Sequence, residues 1–455
     1  MWCDVTRACT GWYPAGSAQI TAWDTNGYPT TVTGGSAAAW TYLYGYPTGN
    51  YALGWHGPQN GLTIQGKNIT GIVADGSGGW IGVVPFSTGE RCEFRSTGGV
   101  TGVHLLAPDA KLGQTFRDAF LALFRPYKVL RLMPSQRVNG IGLPPVVRTD
   151  WTKRTIPTNW DQTTNEVAAE HLAELCRESG CIPWVCLPYG ATNDYITGLA
   201  NAFAGFPLVY VEYSNELWNT APAYQGMTIR NAAVAKGIYG TDPNVAGARY
   251  AADLTGQMGT IFHGVLGVSK VKVVFGGQET WEAWSSDGLK FLRPGFVDCL
   301  AVAPYFQCVD GDPKATVPQI LASCQKWIDT ILIPGLAANA KVAKAYGCEM
   351  IAYESGASLL PSMVNPPNIA IQPDSPAQLA AFAADPMVAA QNDSGMGLLH
   401  DNMFAACRNA GMTLVCHFMT ISNWGRSGMW GNRQTVTDGE NVKTQAVSRA
   451  IAAGN

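Results

Sequence analysis

Two glutamates, Glu216 in "EYSNE" and Glu354 in "IAYESG", each close a run of strand-forming residues. Such a pair is the equipment for cleaving a glycosidic bond: one carboxyl protonates the leaving oxygen, and the other attacks the anomeric carbon or activates water. Other strand-like runs end in groups able to tune or assist it: Arg131 in "VLRLMP", Tyr189 in "CLPYG", Asn215 beside Glu216, Glu279 and Trp281 in "GGQETW", Tyr305 in "VAPYF" and Trp424 in "ISNWG". A guanidinium and a phenol keep a nucleophilic carboxylate ionised, which assigns Arg131 and Tyr305 to Glu354. An acid keeps its proton when buried beside a second carboxylate, the situation expected of Glu216. Trp424 is expected to stack on a sugar face, with Trp218, Trp281, Trp284 and Trp430 extending that platform.

Plainer readings stand beside these. An Asn–Glu dipeptide is common at solvated strand ends. Glu279 divides evenly between substrate contact and loop anchor, Tyr189 with Asn193 and Asp194 between sugar contact and helix cap, and the loop tryptophans between stacking and packing. Glu212, inside the strand, reads as a structural ion-pair partner.

These residues need a scaffold that gathers distant strand ends. Residues 1–98 show short strand-like pieces ("AQITAWD", "AAAWTYLYGY", "NYALGWH", "GWIGVVPF") cut by Gly, Asn, Pro and Thr, the texture of a small antiparallel β-rich domain. Residues 99–455 alternate apolar strands with helical stretches, which argues for βα units and a parallel sheet. Eight strands are read there: "VTGVHLLAP", "KVLRLMP", "CIPWVCLPY", "LVYVEYSNE", "VKVVFGGQE", "VDCLAVAPYF", "MIAYESG" and "TLVCHFMTI". Eight close a (β/α)8 TIM barrel, whose reactive residues lie at the C-terminal strand ends. An open doubly wound sheet, two smaller α/β domains or a miscounted strand are the alternatives.

Composition narrows the partners. Of 455 residues 47% are apolar and 14% charged, enough for a large core. The net charge of −3, without long runs of either sign, removes the electrostatic reason for nucleic acid or an anionic membrane. No apolar run is long enough for membrane insertion, and the start "MWCDVTRACTGWYPAG" lacks the basic and apolar regions of a signal peptide. Fifteen Trp and 17 Tyr suit a neutral, flat ligand such as a sugar. The twelve cysteines show no CxxC framework; Cys3 with Cys9, or Cys176 with Cys181, are spaced for local disulfides. No His/Asp/Glu cluster has zinc spacing, so neither a metal nor an organic cofactor is expected.

The chain resembles the clan A (β/α)8 retaining glycoside hydrolases. "EYSNE" matches their Asn–Glu motif ending strand four, and "IAYESG" their strand-seven glutamate. The resemblance implies Glu216 as acid/base, Glu354 as nucleophile, Asn215 on the sugar 2-hydroxyl, Arg131 and Tyr305 on the nucleophile, and Trp424 as floor of the sugar site. Many members carry His after strand three and two residues before the strand-six Tyr; this chain has "CLPYGATND" and Ala303 there. The expected function is cleavage of β-linked poly- or oligosaccharide by double displacement, at an extracellular, cell or virion surface. A non-catalytic carbohydrate-binding protein on the same scaffold is the alternative. Specificity is expected to lie in the loops Thr220–Pro243 and Ala357–Ser394.

Overall fold

The structure, a computed structural model, describes residues 1–111, 113–139, 148–163, 166–292, 295–308, 315–360, 380, 382–425 and 428–454. It divides into two compact units. The first comprises Met1–Leu123, Ser135–Arg137 and the described part of Pro145–Ser179; the second comprises Phe124–Pro134, the described part of Val138–Pro144, and Gly180 onward.

The first unit carries two four-stranded antiparallel sheets. One orders Tyr13–Ala15, Ser36–Tyr42, Arg91–Ser96 and Leu62–Ile64; the other orders Thr101–Leu106, Gly49–His56, Gly79–Phe86 and Thr70–Ala74. Side chains alternate across a pleated strand, so each sheet buries one face. Those faces supply Tyr51, Trp55, Val84, Phe94 and Leu105 to one core, closed by Trp160, whose indole donates to the Thr10 carbonyl at 2.9 Å. Here an expectation fails. "VTGVHLLAP" is not the first barrel strand: Thr101–Leu106 pairs antiparallel with Gly49–His56, so the expected domain change at residue 99 falls just before a strand of this sheet. The apolar run does form a strand, but strand propensity does not specify the partner.

The second unit is built on six parallel strands in sequential order: Val129–Arg131, Ile182–Leu187, Val209–Tyr213, Val271–Gly276, Cys299–Val302 and Glu349–Ala352. Val209–Tyr213 and Cys299–Val302 are buried throughout, as strands covered on both faces must be. A further segment, the last expected strand, joins parallel to Glu349–Ala352: the Ala352 N–H donates to Leu414 and the Cys416 N–H to the Ala352 carbonyl, at 2.9 and 3.0 Å. Seven of the eight expected barrel segments thus lie on one parallel sheet.

That sheet is curled. Laid flat, six strands would hold the first and last roughly 24 Å apart. Instead Arg131, ending the first strand, bonds Glu354, two residues past the end of the sixth, at 2.7 Å. Tyr127, before the first strand, likewise bonds the side chains of Thr420 and Asn432. The enclosed face carries Trp184, Cys186, Tyr210, Val274, Cys299, Ala301, Ile351 and Leu414 in one apolar cluster.

No disulfide joins the described cysteines, which corrects the expected local bridges. A 3-10 helix, Val5–Ala8, separates buried Cys3 from buried Cys9, and Cys181 turns its sulfur to the Phe124 and Tyr127 carbonyls. Among the described residues no helix is long and apolar enough to cross a membrane, and no group of three or more His, Cys, Asp or Glu is placed to hold a metal. Of the expected loop Ala357–Ser394, residues 361–379 and 381 lie outside the described residues.

Helix Glu282–Phe291 packs on the sheet through Gly288, where an added Cβ would stand 2.5 Å from the Phe275 ring and 3.1 Å from the Ala248 carbonyl. Gly288→Val is expected to lower stability by about 1–3 kcal/mol through overpacking, read as a reduced thermal midpoint. Gly205→Ala, where a Cβ meets nothing within 4 Å, is the control and should leave the midpoint nearly unchanged.

Candidate active site

The strand Val209–Tyr213 ends in an irregular turn. Ser214 and Glu216 both take left-handed backbone conformations, with φ of 63° and 46°. For residues with side chains this costs on the order of 1–3 kcal/mol each, so surrounding contacts must impose it. The Ser214 N–H donates to the Leu187 carbonyl at 2.7 Å, and the Asn219 N–H to the Glu216 carbonyl at 2.8 Å. Behind the turn the buried Arg230 donates to the carbonyls of Trp218 and Gly226, both at 2.9 Å. Its guanidinium lies over the rings of Trp284 and Trp281, 5.0 and 5.8 Å from the centroids. Gly226 is required there: a Cβ would lie 2.0 Å from the Asn219 carbonyl oxygen.

This turn presents Glu216 toward the enclosed face, where one cation organises several acids. Arg131 gives Nε and Nη2 to the two oxygens of Glu212 at 2.8 and 2.9 Å, Nη1 to Glu354 Oε1 at 2.7 Å, and Nη2 also to Asn215 Oδ1 at 2.7 Å. Glu212 further accepts from the Trp184 indole at 2.9 Å. The second oxygen of Glu354 accepts the Tyr305 hydroxyl at 2.9 Å. Tyr305 is brought alongside because Tyr305–Phe306 pairs in parallel with Gly356–Ala357.

Glu216 is held differently. Its Oε1 accepts the Tyr353 hydroxyl at 3.2 Å and its Oε2 the Asn219 carboxamide at 2.9 Å; Tyr224 also bonds it. No guanidinium touches it among the described residues. Three buried carboxyls therefore lie close together while the one guanidinium bonds two of them, an excess of negative charge that protonating one of the three relieves. Burial raises both Glu216 and Glu354 above the ordinary carboxylate range. For Glu354, the charge and hydrogen bond of Arg131 and the Tyr305 hydroxyl oppose that rise, while the Glu212 charge adds to it. For Glu216, the Glu354 charge adds to burial, opposed by the Asn219 and Tyr353 hydrogen bonds and by the more distant Arg131 charge. Glu216 is thus the one of the two whose rise no bonded guanidinium opposes.

The remaining expected residues separate. Asn215 is buried and engaged, accepting from Arg131 and donating Nδ2 to Asn139 Oδ1 at 3.2 Å. Glu279 is buried, pushed up to about 7 by desolvation, and close enough to contribute with Glu216 and Glu354 to raising the Tyr353 hydroxyl, itself raised chiefly by burial. Tyr189 meets Tyr213 edge-on at 6.5 Å and bonds Tyr250 rather than the carboxyls, while Thr192 caps the helix Asn193–Ala202. Trp281 and Trp284 brace Arg230. Trp424 is buried, its indole donating to Gly431 at 2.8 Å and its ring covered by the Lys443 ammonium at 4.3 Å; its described contacts are with its own loop and that lysine, not with the carboxyls.

Sequence reasoning missed Tyr353, Tyr224 and Asn139, and left Asn219 open between sugar contact and loop anchor. Tyr353 left a signal: a tyrosine closing a buried strand needs a partner for its hydroxyl, and the strand end is where one is available.

No family model matches the chain, and no curated protein matches it. Among solved structures it is similar to the α-L-arabinofuranosidase of Thermotoga maritima in its arabinose complex, at 14% identity and a TM-score of 0.44, over 76% of this chain and 65% of that enzyme. It is also similar to a family 51 α-L-arabinofuranosidase of Bifidobacterium longum, at 12% identity and a TM-score of 0.48, over 76% and 68% of the two chains. A third is the family 1 β-glucosidase of Thermotoga maritima, at 12% and 0.42, over 74% and 86%. The chain spans less than two thirds of the length of the first of these.

Removing Arg131 leaves Glu212 and Glu354 buried without their cation. Arg131→Met is expected to destabilise by about 3–5 kcal/mol, with Arg131→Lys intermediate because one ammonium cannot reproduce the bidentate fork. Thermal midpoints measure this; a midpoint unchanged in Arg131→Met would show that the charges are not uncompensated when buried.

Proposed function

We propose that the second unit is a (β/α)8-type retaining glycoside hydrolase acting on a β-linked poly- or oligosaccharide. The observation that carries the reading is the unequal environment of two adjacent carboxyls. Glu354 is fixed on both oxygens by Arg131 and Tyr305, whereas Glu216 has only neutral donors and faces the Glu354 charge. Such a pair splits into one carboxylate and one acid.

In the first step Glu354 attacks the anomeric carbon while Glu216 passes its proton to the departing glycosidic oxygen, leaving a glycosyl ester on Glu354. In the second, Glu216, now a carboxylate, takes a proton from water whose oxygen displaces Glu354. Arg131 and Tyr305 hold Glu354 ionised and aimed. Asn215 Nδ2 has a second N–H beyond the one given to Asn139, available to a sugar 2-hydroxyl. Glu279, raised toward the neutral form by burial, is a further candidate contact for substrate.

Glu216→Ala and Glu354→Ala, assayed on a panel of aryl β-glycosides, should each lose at least roughly 100-fold in kcat. Azide should rescue them with opposite product stereochemistry: retained configuration for Glu216→Ala and inverted for Glu354→Ala. Wild-type turnover in either variant would falsify the proposal, and sugar binding that survives both changes with no turnover in any form would indicate a binding protein.

The pH profile supplies a separate check. A protonated Glu216 and an ionised Glu354 are both required, so kcat/KM should be bell-shaped. Because Glu216 is raised by burial and by Glu354, activity should persist above neutrality before falling as Glu216 ionises. Glu354→Gln should abolish activity but lower the Glu216 titration by removing the neighbouring charge. A Glu216 carboxyl that titrates in the ordinary range in the wild type contradicts this assignment.

A further inference from the structure

Tyr353 is not needed to balance the two steps above, yet it stands between all the groups that are. Its side chain is buried and its ring lies 4.9 Å from the Arg131 guanidinium that binds Glu354. Its hydroxyl receives the Trp218 indole N–H at 3.1 Å and lies 3.2 Å from Glu216 Oε1. An indole N–H only donates, and a phenol carries a single proton. Trp218 therefore occupies an acceptor position on the phenol oxygen and leaves its proton to point at Glu216. The other oxygen of Glu216 is held by Asn219 at 2.9 Å.

The geometry points to Tyr353 as a positioning residue: its O–H, aimed by Trp218, orients Glu216 and stabilises the negative charge left there once the proton has passed to the leaving oxygen. This rests on Glu216 being the acid/base of the proposed glycosidase. During the first step the Glu216 O–H bond breaks, the glycosidic C–O bond breaks with its electron pair going to the newly protonated oxygen, and Glu354 bonds the anomeric carbon. Tyr353 keeps its own proton throughout; its hydrogen bond shortens as Oε1 becomes charged. In the second step the bond lengthens again as Glu216 takes a proton from water. The hydroxyl thus favours the charged form of Glu216 in opposition to burial, and the Tyr353 contact acts in that direction.

The direct test is infrared difference titration of the substrate-free protein, following the protonated carboxyl band that disappears in Glu216→Gln. Tyr353→Phe keeps the ring and its contact with Arg131 and removes one oxygen. Its Glu216 band should titrate about one pH unit higher than in wild type. Trp218→Phe should move it the same way by less, because the phenol proton is no longer directed. Unchanged thermal midpoints and circular dichroism confirm that both variants are folded. On aryl β-glycosides, Tyr353→Phe should lose roughly tenfold on phenyl substrates and little on dinitrophenyl substrates, whose departure needs no acid. A Glu216 band at its wild-type pH in both variants overturns the inference, as does an equal loss on both leaving groups. If Glu216→Gln itself turns over phenyl glycosides at the wild-type rate, the acid/base reading falls instead, and the titration reports that separately.

Discussion

The sharing of one guanidinium holds this site together. Arg131 serves Glu212, Glu354 and Asn215 from a single planar fork, and these partners come from the third parallel strand, the turn after it and the end of the sixth. Its own strand is only three residues long. A buried ion pair is weak evidence of stability when taken alone, because desolvation offsets attraction. Here the balance differs, since every donor direction of the fork that touches an acid also links two strands of the curled sheet. Curling and charge compensation are one contact.

From that contact the asymmetry of the two glutamates follows. Arg131 is committed to Glu212 and Glu354, and Tyr305 completes Glu354. Glu216 must then be accommodated by neutral donors: Asn219 from its own turn, Tyr224 and Tyr353. The turn's left-handed residues are held by Arg230 and by the close approach of Gly226. The backbone strain at Glu216 and the placing of its carboxyl among neutral donors are resolved around the same turn.

Much of this was legible in the sequence, and the limits have physical causes. Glu216, Glu354, Arg131 and Tyr305 were readable because strand ends on a parallel sheet converge, so residue type at a strand end carries spatial information. Glu212 was readable as an ion-pair partner because an acid inside a buried strand requires one. Thr101–Leu106 was misplaced because an apolar run states that it is a strand without stating which edge it joins. Trp281 on its loop, and Trp424 where the resemblance sets a sugar floor, stay undecided in sequence because a tryptophan bracing a buried cation has the same signature as one awaiting a ligand. The contacts of Asn219 and Tyr353 with Glu216 escaped because they depend on a turn that doubles back on its own carboxyl, which no period in the sequence encodes.

The short first strand has a consequence for how such a protein can change. Most enzymes separate the residues that hold the scaffold from those that serve the reaction, and substitutions can then improve one at little expense to the other. At Arg131 the scaffold task and the proposed catalytic task coincide in one side chain, so selection for a different setting of Glu354 would also act on the curl of the sheet. Variation in this lineage should therefore accumulate in the turn behind Glu216 and in the loops beyond it. The first strand would stay fixed as the hinge pin around which specificity is redesigned.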